Sequence, residues 1–181
     1  NVICVGLIIP PCGSCQACID ACPTGAIIAP YVLDARLCIS YLTIELKTAI
    51  PEPLRALIGN RIYGCDDCQL VCPWNRFSQP SAEKDFHMRP VWQAPDLLAL
   101  FAWSEQQYRD NTRGSAMRRI GFEQWLRNIA VALGNGEPKT EAIAALEKQS
   151  RHPSAMVREH VLWALHNLRR KRRKLGARQS Y

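Results

Sequence analysis

The chain has 181 residues, 48% of them hydrophobic, which is enough for one domain or two small ones with a real core. Nine cysteines and a formal charge of +7 set it apart from an ordinary globular composition. No basic start with a small-residue cleavage site marks a secretory leader, and eight of the cysteines stand in metal-ligand spacings rather than a disulfide framework, so a reducing, cytoplasmic setting without a membrane is expected.

The opening stretch, residues 1–11, is apolar but falls far short of the ~20 residues that cross a bilayer. It reads as a connector or the remnant of an upstream domain, since the chain does not begin with methionine. Cys4 lies outside both cysteine motifs and is expected to be a buried structural thiol rather than a ligand.

The most specific stretch follows. Cys12-Gly-Ser-Cys15-Gln-Ala-Cys18-Ile-Asp-Ala-Cys22-Pro23 has the spacing that wraps a loop around an iron–sulfur cube. Cys65-Asp-Asp-Cys68-Gln-Leu-Val-Cys72-Pro73 is the same run without its first cysteine, and Cys38 is the candidate to replace it. In two-cluster loops the fourth cysteine of each run ligates the other cluster. Cluster 1 is therefore assigned Cys12, Cys15, Cys18 and Cys72, and cluster 2 Cys38, Cys65, Cys68 and Cys22. Closed tetrahedral zinc sites are the alternative for Cys-x2-Cys pairs, although three evenly spaced cysteines followed by Cys-Pro favour two [4Fe-4S] clusters. Gly13, Ser14 and Ala17 are small enough to let backbone amides approach inorganic sulfide.

Between the motifs, two short apolar runs around Ala29-Pro30 predict a hairpin folding over the clusters. The apolar positions Ile39, Leu42, Leu46 and Ile50 predict a helix from Cys38 to Ile50, stopped by Pro51 and Pro53. A second short helix over Leu54 to Ile58 should end at Gly59-Asn60. The residues between Cys38 and Cys65 are an insertion within the second ligand set, and specialised function is expected there.

Residues 12–80 thus form a two-cluster ferredoxin-like domain, and 81–95, rich in Pro, Ser, Gln and charge, a linker. Over 96–170 helical periodicity recurs through Leu97–Phe101, Ile120–Leu133, Ile143–Leu146 and Val157–Leu168. Repeated helix pairs point to a HEAT-like domain, with an unrelated three- or four-helix bundle as the alternative. The fold class is α+β and mainly helical. Seven of the 23 basic residues lie from Arg169 onward, leaving sixteen against sixteen acidic in the rest, so the charge excess belongs to the chain's end, Arg169 and Arg170 together with a basic tail at 171–181. Such a run is ordinarily a solvated, mobile end that attracts polyanions. Upstream, Arg109, Arg113, Arg118, Arg119 and Arg127 form a basic stretch suited to phosphates. Trp103, Tyr108 and Trp125 could stack on bases, although Trp125 has the spacing of a core residue.

Several blocks carry a resemblance. Cys38-Ile-Ser-Tyr-Leu-Thr-Ile-Glu-Leu46, Gly59-Asn-Arg-Ile-Tyr-Gly-Cys-Asp-Asp-Cys-Gln-Leu-Val-Cys-Pro-Trp-Asn75, Arg118-Arg-Ile-Gly121 and Trp125-Leu-Arg-Asn-Ile-Ala-Val-Ala-Leu-Gly-Asn135 closely resemble the epoxyqueuosine reductase family. The likeness runs from Cys12 to about Leu168. It implies an oxidoreductase of the last step of queuosine synthesis, in which two [4Fe-4S] clusters and cobalamin deoxygenate the epoxide of epoxyqueuosine in tRNA. It also implies that cluster 2 feeds the corrin, that Ser40, Cys65 and Asp66 lie at the cobalamin, and that Lys47, Arg118, Arg119 and Arg127 face the tRNA. For Ser40 and Asp66 the residues alone allow a helix cap and an ordinary turn.

The family's amino-terminal domain, which holds most of the cobalamin pocket and the expected proton-donating acid, does not precede Cys12, so no catalytic residue is assigned in this chain. An external electron donor and a monomer are expected. The competing functions are a reductive dehalogenase-like corrinoid enzyme and a plain two-cluster electron carrier.

Overall fold

A computed structural model describes residues 12–178; the apolar opening and Cys4 lie outside them. The cysteine-rich half contains α1 (Ala17–Ala21), the hairpin β1 (Ile27–Ala29) and β2 (Val32–Leu33), α2 (Glu52–Ile58) and α3 (Asp67–Leu70). The helical half contains α4 (Leu97–Phe101), α5 (Glu105–Asn111), α6 (Phe122–Asn135), α7 (Thr140–Gln149) and α8 (Ala155–Arg178). The mainly helical fold with one small sheet agrees with the expected class. Among the described residues no helix is long and apolar enough to cross a membrane.

The two strands pair antiparallel, with Ile27 opposite Leu33 and Ala29 opposite Val32. Tyr31 takes the left-handed conformation (φ 63°) that closes the turn. The helix expected from Cys38 to Ile50 is much shorter. It widens into a π-helical turn over Tyr41–Glu45 and ends at Leu46, whose ψ of 116° is extended. Tertiary hydrogen bonds outcompete the continuing ladder: the carbonyls of Leu46 and Thr48 accept from Arg127, and the amide of Ile50 donates to His160. The following helix begins at Glu52, with Pro53 in its first turn where a missing N–H costs nothing. It stops at Gly59, which has a φ of 64°.

Helix α6 is the centre of the molecule. It is buried from Gln124 to Gly134, including Arg127 and Asn128. One side packs on Leu100, Phe101, Ile143, Leu146, Val161 and Leu165. Val131 instead joins Ile39, Leu42, Ile50 and Ile58 of the insertion, so the insertion and the helical half share a core. Helices α6 and α8 run side by side in the same direction, because Arg127 meets Met156 near one end while Asn167 donates to the Gly134 carbonyl near the other. Gly134 permits this approach: a Cβ there would lie 2.8 Å from Cα and Cβ of Ala164.

Two regions are more ordered than their composition implies. The stretch expected as a linker is docked, with Arg89 donating to the Arg113 and Gly114 carbonyls and Trp92 packing edge-on to Trp103 and Trp125. The basic tail continues α8 to Arg178 instead of leaving the fold. Lys171 anchors it by donating to the carbonyls of Gly134, Asn135 and Gly136, satisfying the end of α6 with a cation where the helix dipole favours one.

His160 is fully buried, donates from Nδ1 to the Met156 carbonyl and accepts the Ile50 amide at Nε2. Burial pushes its pKa down to about 4; Arg55 and Arg127 push the same way, and the Met156 carbonyl and Glu159 oppose them. The unfolded chain therefore binds the extra proton first. This contribution is complete above about pH 6.5 and is lost as pH falls toward 4, in total roughly 3 kcal/mol. Urea unfolding at stepped pH should show wild type losing stability more steeply over this window than His160→Gln. A second expectation concerns Gly134→Ala, which must push α6 and α8 apart and lower the unfolding free energy by about 2 kcal/mol.

Candidate metal centres

The two cysteine motifs fold alike. In each, a one-turn helix carries the last cysteine but one, Cys18 or Cys68, and the last cysteine leaves it in extended conformation: Cys22 at φ −70°, ψ 111° and Cys72 at φ −69°, ψ 123°. The amide of Cys22 bonds the Ile19 carbonyl, and that of Cys72 bonds the Gln69 carbonyl. Helices α1 and α3 pack together. All eight described cysteines are free thiols.

These sulfurs surround two adjoining cavities. The smaller, about 240 Å³, is lined by Cys12, Cys15, Cys18 and Cys72 together with Trp74 and Phe77. The larger, about 400 Å³, takes in Cys22, Cys38, Cys65 and Cys68, shares Cys12, Cys15 and Cys18 with its neighbour, and is roofed by hairpin residues Ile27, Tyr31, Val32 and Leu33. The structure thus brings Cys72 to the first motif and Cys22 to the second. Among the described residues no three His, Cys, Asp or Glu side chains converge on a point that would hold a single ion. Cavities of this size ringed by four or more thiols have room for a sulfide-bridged cluster.

The thiols differ in environment. At Cys22 burial raises the pKa, but the amide of Ala26 at 3.2 Å, the Thr24 hydroxyl and further backbone amides outweigh it and hold the thiol below its ordinary range. Burial pushes Cys65 and Cys68 up. Arg61 stands beside Cys65 and pairs with Asp67 at 2.5 Å, so a cation offsets the charge gathered there.

Ser40 does not face outward as a free hydroxyl. Its Oγ accepts the Cys65 amide at 3.0 Å and donates to the Cys65 carbonyl at 3.2 Å, bracing the loop that carries the cysteine. Next to it, Gly64 has a φ of 73° and donates its amide to Thr43 Oγ1. Asp66 is exposed and accepts from Gln69 Nε2. Lys47, Arg118 and Arg119 are exposed; Lys47 Nζ lies 3.5 Å from the Arg119 carbonyl, and Arg119 pairs with Glu45 at 2.7 Å.

Arg127 requires a correction. Expected at the RNA surface, it is fully buried and gives its donors to the carbonyls of Leu42, Leu46 and Thr48 and to Asn128 Oδ1. Burial lowers its pKa to about 10, so it stays charged. Asn128 continues the connection by donating to the carbonyls of Thr43 and Ile62. The pair fastens the segment that follows Cys38 and the one that precedes Cys65, a role that the charge of Arg127 hides. Tyr108 and Trp125 are likewise core residues, and Trp103 stacks on Trp125 with centroids 5.6 Å apart, so this aromatic group is occupied internally.

Residues 11–75 match the family described as a 4Fe-4S double cluster binding domain. The matched stretch takes in all eight thiols that line the two cavities. The chain is 60% identical over 155 residues to epoxyqueuosine reductase of Shigella dysenteriae, a match covering 85% of this chain and 40% of that protein. It is 56% identical over 154 residues to the Pseudomonas aeruginosa enzyme, covering 85% and 43%.

Among solved structures, epoxyqueuosine reductase from Bacillus subtilis aligns with a TM-score of 0.78 at 35% identity, covering 89% of this chain and 43% of that one. An epoxyqueuosine reductase with an epoxyqueuosine-modified tRNA-Tyr stem loop aligns at 0.77 and 35%, covering 87% and 42%. The resemblance read from the sequence therefore holds in sequence and in fold: this chain is related to the epoxyqueuosine reductases and spans about two-fifths of their length.

The buried arginine yields a test. Arg127→Lys replaces a planar five-donor fork with a point cation that cannot reach the same carbonyls, and the carbonyls left unsatisfied should cost about 3 kcal/mol in urea unfolding.

Proposed function

We propose that this chain is the electron-carrying and RNA-facing portion of an epoxyqueuosine reductase. The observation that carries the reading is the distribution of sulfurs: Cys12, Cys15, Cys18 and Cys72 line one cavity, and Cys22, Cys38, Cys65 and Cys68 join the first three around the next. In this reading the first set holds cluster 1 and the second cluster 2. When bound, the clusters supply one-electron transfer and cobalamin supplies the reducing metal for the epoxide.

The chain's own residues do the rest. Ser40 and Gly64 fix the Cys65 loop. The hairpin covers the larger cavity and limits the solvent exposure that would shift a cluster's potential. Ser40, Cys65 and Asp66 form the side assigned to cobalamin; the Ser40 hydroxyl, already bonded to Cys65, would reach that cofactor only through its remaining lone pair. Lys47, Arg118 and Arg119 form the surface for the tRNA backbone, positioning phosphates without reading sequence. The protein works in the cytoplasm as a monomer with an external electron donor, and its helical half is HEAT-like, as the parallel course of α6 and α8 supports.

Two other functions remain distinguishable. Corrinoid binding separates an enzyme from a plain carrier, and a tRNA requirement separates the reductase from a dehalogenase-like enzyme. The ligand assignment itself is tested by anaerobic iron and sulfide analysis with EPR. Wild type should hold about eight irons. Cys22→Ala should retain about four, losing the cluster of Cys38, Cys65 and Cys68 and keeping that of its sequence neighbours Cys12, Cys15 and Cys18. Loss of the neighbours' cluster instead would refute the crossing, and zinc in place of iron would refute the electron route.

A further inference from the structure

The last three turns of α8 present a second basic surface, separate from Lys47, Arg118 and Arg119. His166, Arg169, Arg172 and Arg173 line a groove with Ile143 and Glu147 of α7, open to solvent and about 510 Å³ in volume. Glu147 pairs with Arg169 at 2.7 Å and is the one acidic residue in the groove. Among the described residues Arg172 and Arg173 have no acidic partner. Like charges three and four residues apart destabilise a helix by ~0.2–0.5 kcal/mol per pair. This segment is nevertheless held in place by Lys171 on the end of α6 and by Asn167 on the Gly134 carbonyl. The charges sit on a rigid support, where binding a polyanion costs little ordering.

We infer that this face of α8 binds the phosphate backbone of RNA and is a second contact for the tRNA taken by the first basic surface; the inference rests on the function proposed above. A membrane surface fits less well. An interfacial helix needs a continuous free apolar face opposite its charges; here Val157, Val161, Ala164, Leu165 and Leu168 are spent in the core, and only Leu162 and Leu175 of the helix's large apolar side chains are exposed, too far apart to make one. The two basic surfaces are also independent of each other. Met156, beside Lys47 in a groove at the start of α8, is ~24 Å along the helix from Arg172. That is about three Debye lengths at physiological salt, so one phosphate cannot serve both, and a single partner that engages both is an extended polyanion.

The test uses the full chain loaded with its clusters, unmodified full-length tRNA, and the double variant Arg172→Gln/Arg173→Gln. Glutamine matches arginine in helix propensity, and circular dichroism with iron content verifies that the fold is kept. Binding is measured across salt concentrations. Removing one arginine–phosphate pair should reduce the log–log salt slope by about 1, so the variant should lose about 2 in slope and, by counterion release, roughly a hundred-fold in affinity near 0.1 M salt. Arg172→Glu/Arg173→Glu should weaken binding further. An unchanged slope in both variants overturns the inference, as does an effect confined to anionic phospholipid vesicles. Because unmodified tRNA reports only on the backbone, failure here is separate from failure of the reductase reading, which is judged by turnover of epoxyqueuosine.

Discussion

The buried guanidinium of Arg127 is the constraint on which the arrangement of both halves depends. Among the described residues no carboxylate pairs with it; three backbone carbonyls of the insertion and the Asn128 amide oxygen accept its hydrogen bonds instead. A buried charge without such partners would cost several kcal/mol, so the insertion cannot leave α6 without stranding both the cation and the carbonyls. This explains why the insertion's helix breaks at Leu46. Continuing it would commit the Leu42, Leu46 and Thr48 carbonyls to the helix and leave the arginine without acceptors. Packing of Ile39, Leu42, Ile50 and Ile58 against Val131 supplies the apolar side of the same junction.

What the sequence discloses follows from the range of the interaction. The cysteine motifs, the hairpin around Pro30 and the stop at Gly59 are local patterns, and the structure reproduces each. The termination of the helix after Cys38 depends on donors more than seventy residues away, beyond any periodicity argument. Charge groups Arg127 with its basic neighbours because charge normally marks a surface, while its position in the middle of an apolar helix pattern points to the opposite conclusion. Apolar periodicity does not reveal helix α5, although Ser104 and Gln107 form a capping box, a recognisable local start. The docked course of residues 81–95 depends on Trp92 finding Trp103 and Trp125, and composition alone carries no trace of it.

The electrostatic layout divides the molecule by function. Around the thiols, charge is nearly compensated, with Arg61 against Asp67. Along α8 the compensation lapses, and the net charge of the chain collects on one helix. A neutral surround at the cysteines and a charged helix at a distance allow polyanion binding and thiolate stabilisation to be tuned without disturbing each other.

The approach of Cys72 to the first motif also bears on biosynthesis. The cavity bounded by Cys12, Cys15 and Cys18 is incomplete until Cys72 has left the ribosome. The loop that bears Cys65 is braced early by Ser40, but the segment leading into it gains its clasp on α6 only once Asn128 has been made. Throughout that interval the nascent chain displays reactive thiols without their enclosure. Enclosure of the thiols is therefore a late event in synthesis, completed by residues made well after the cysteines themselves.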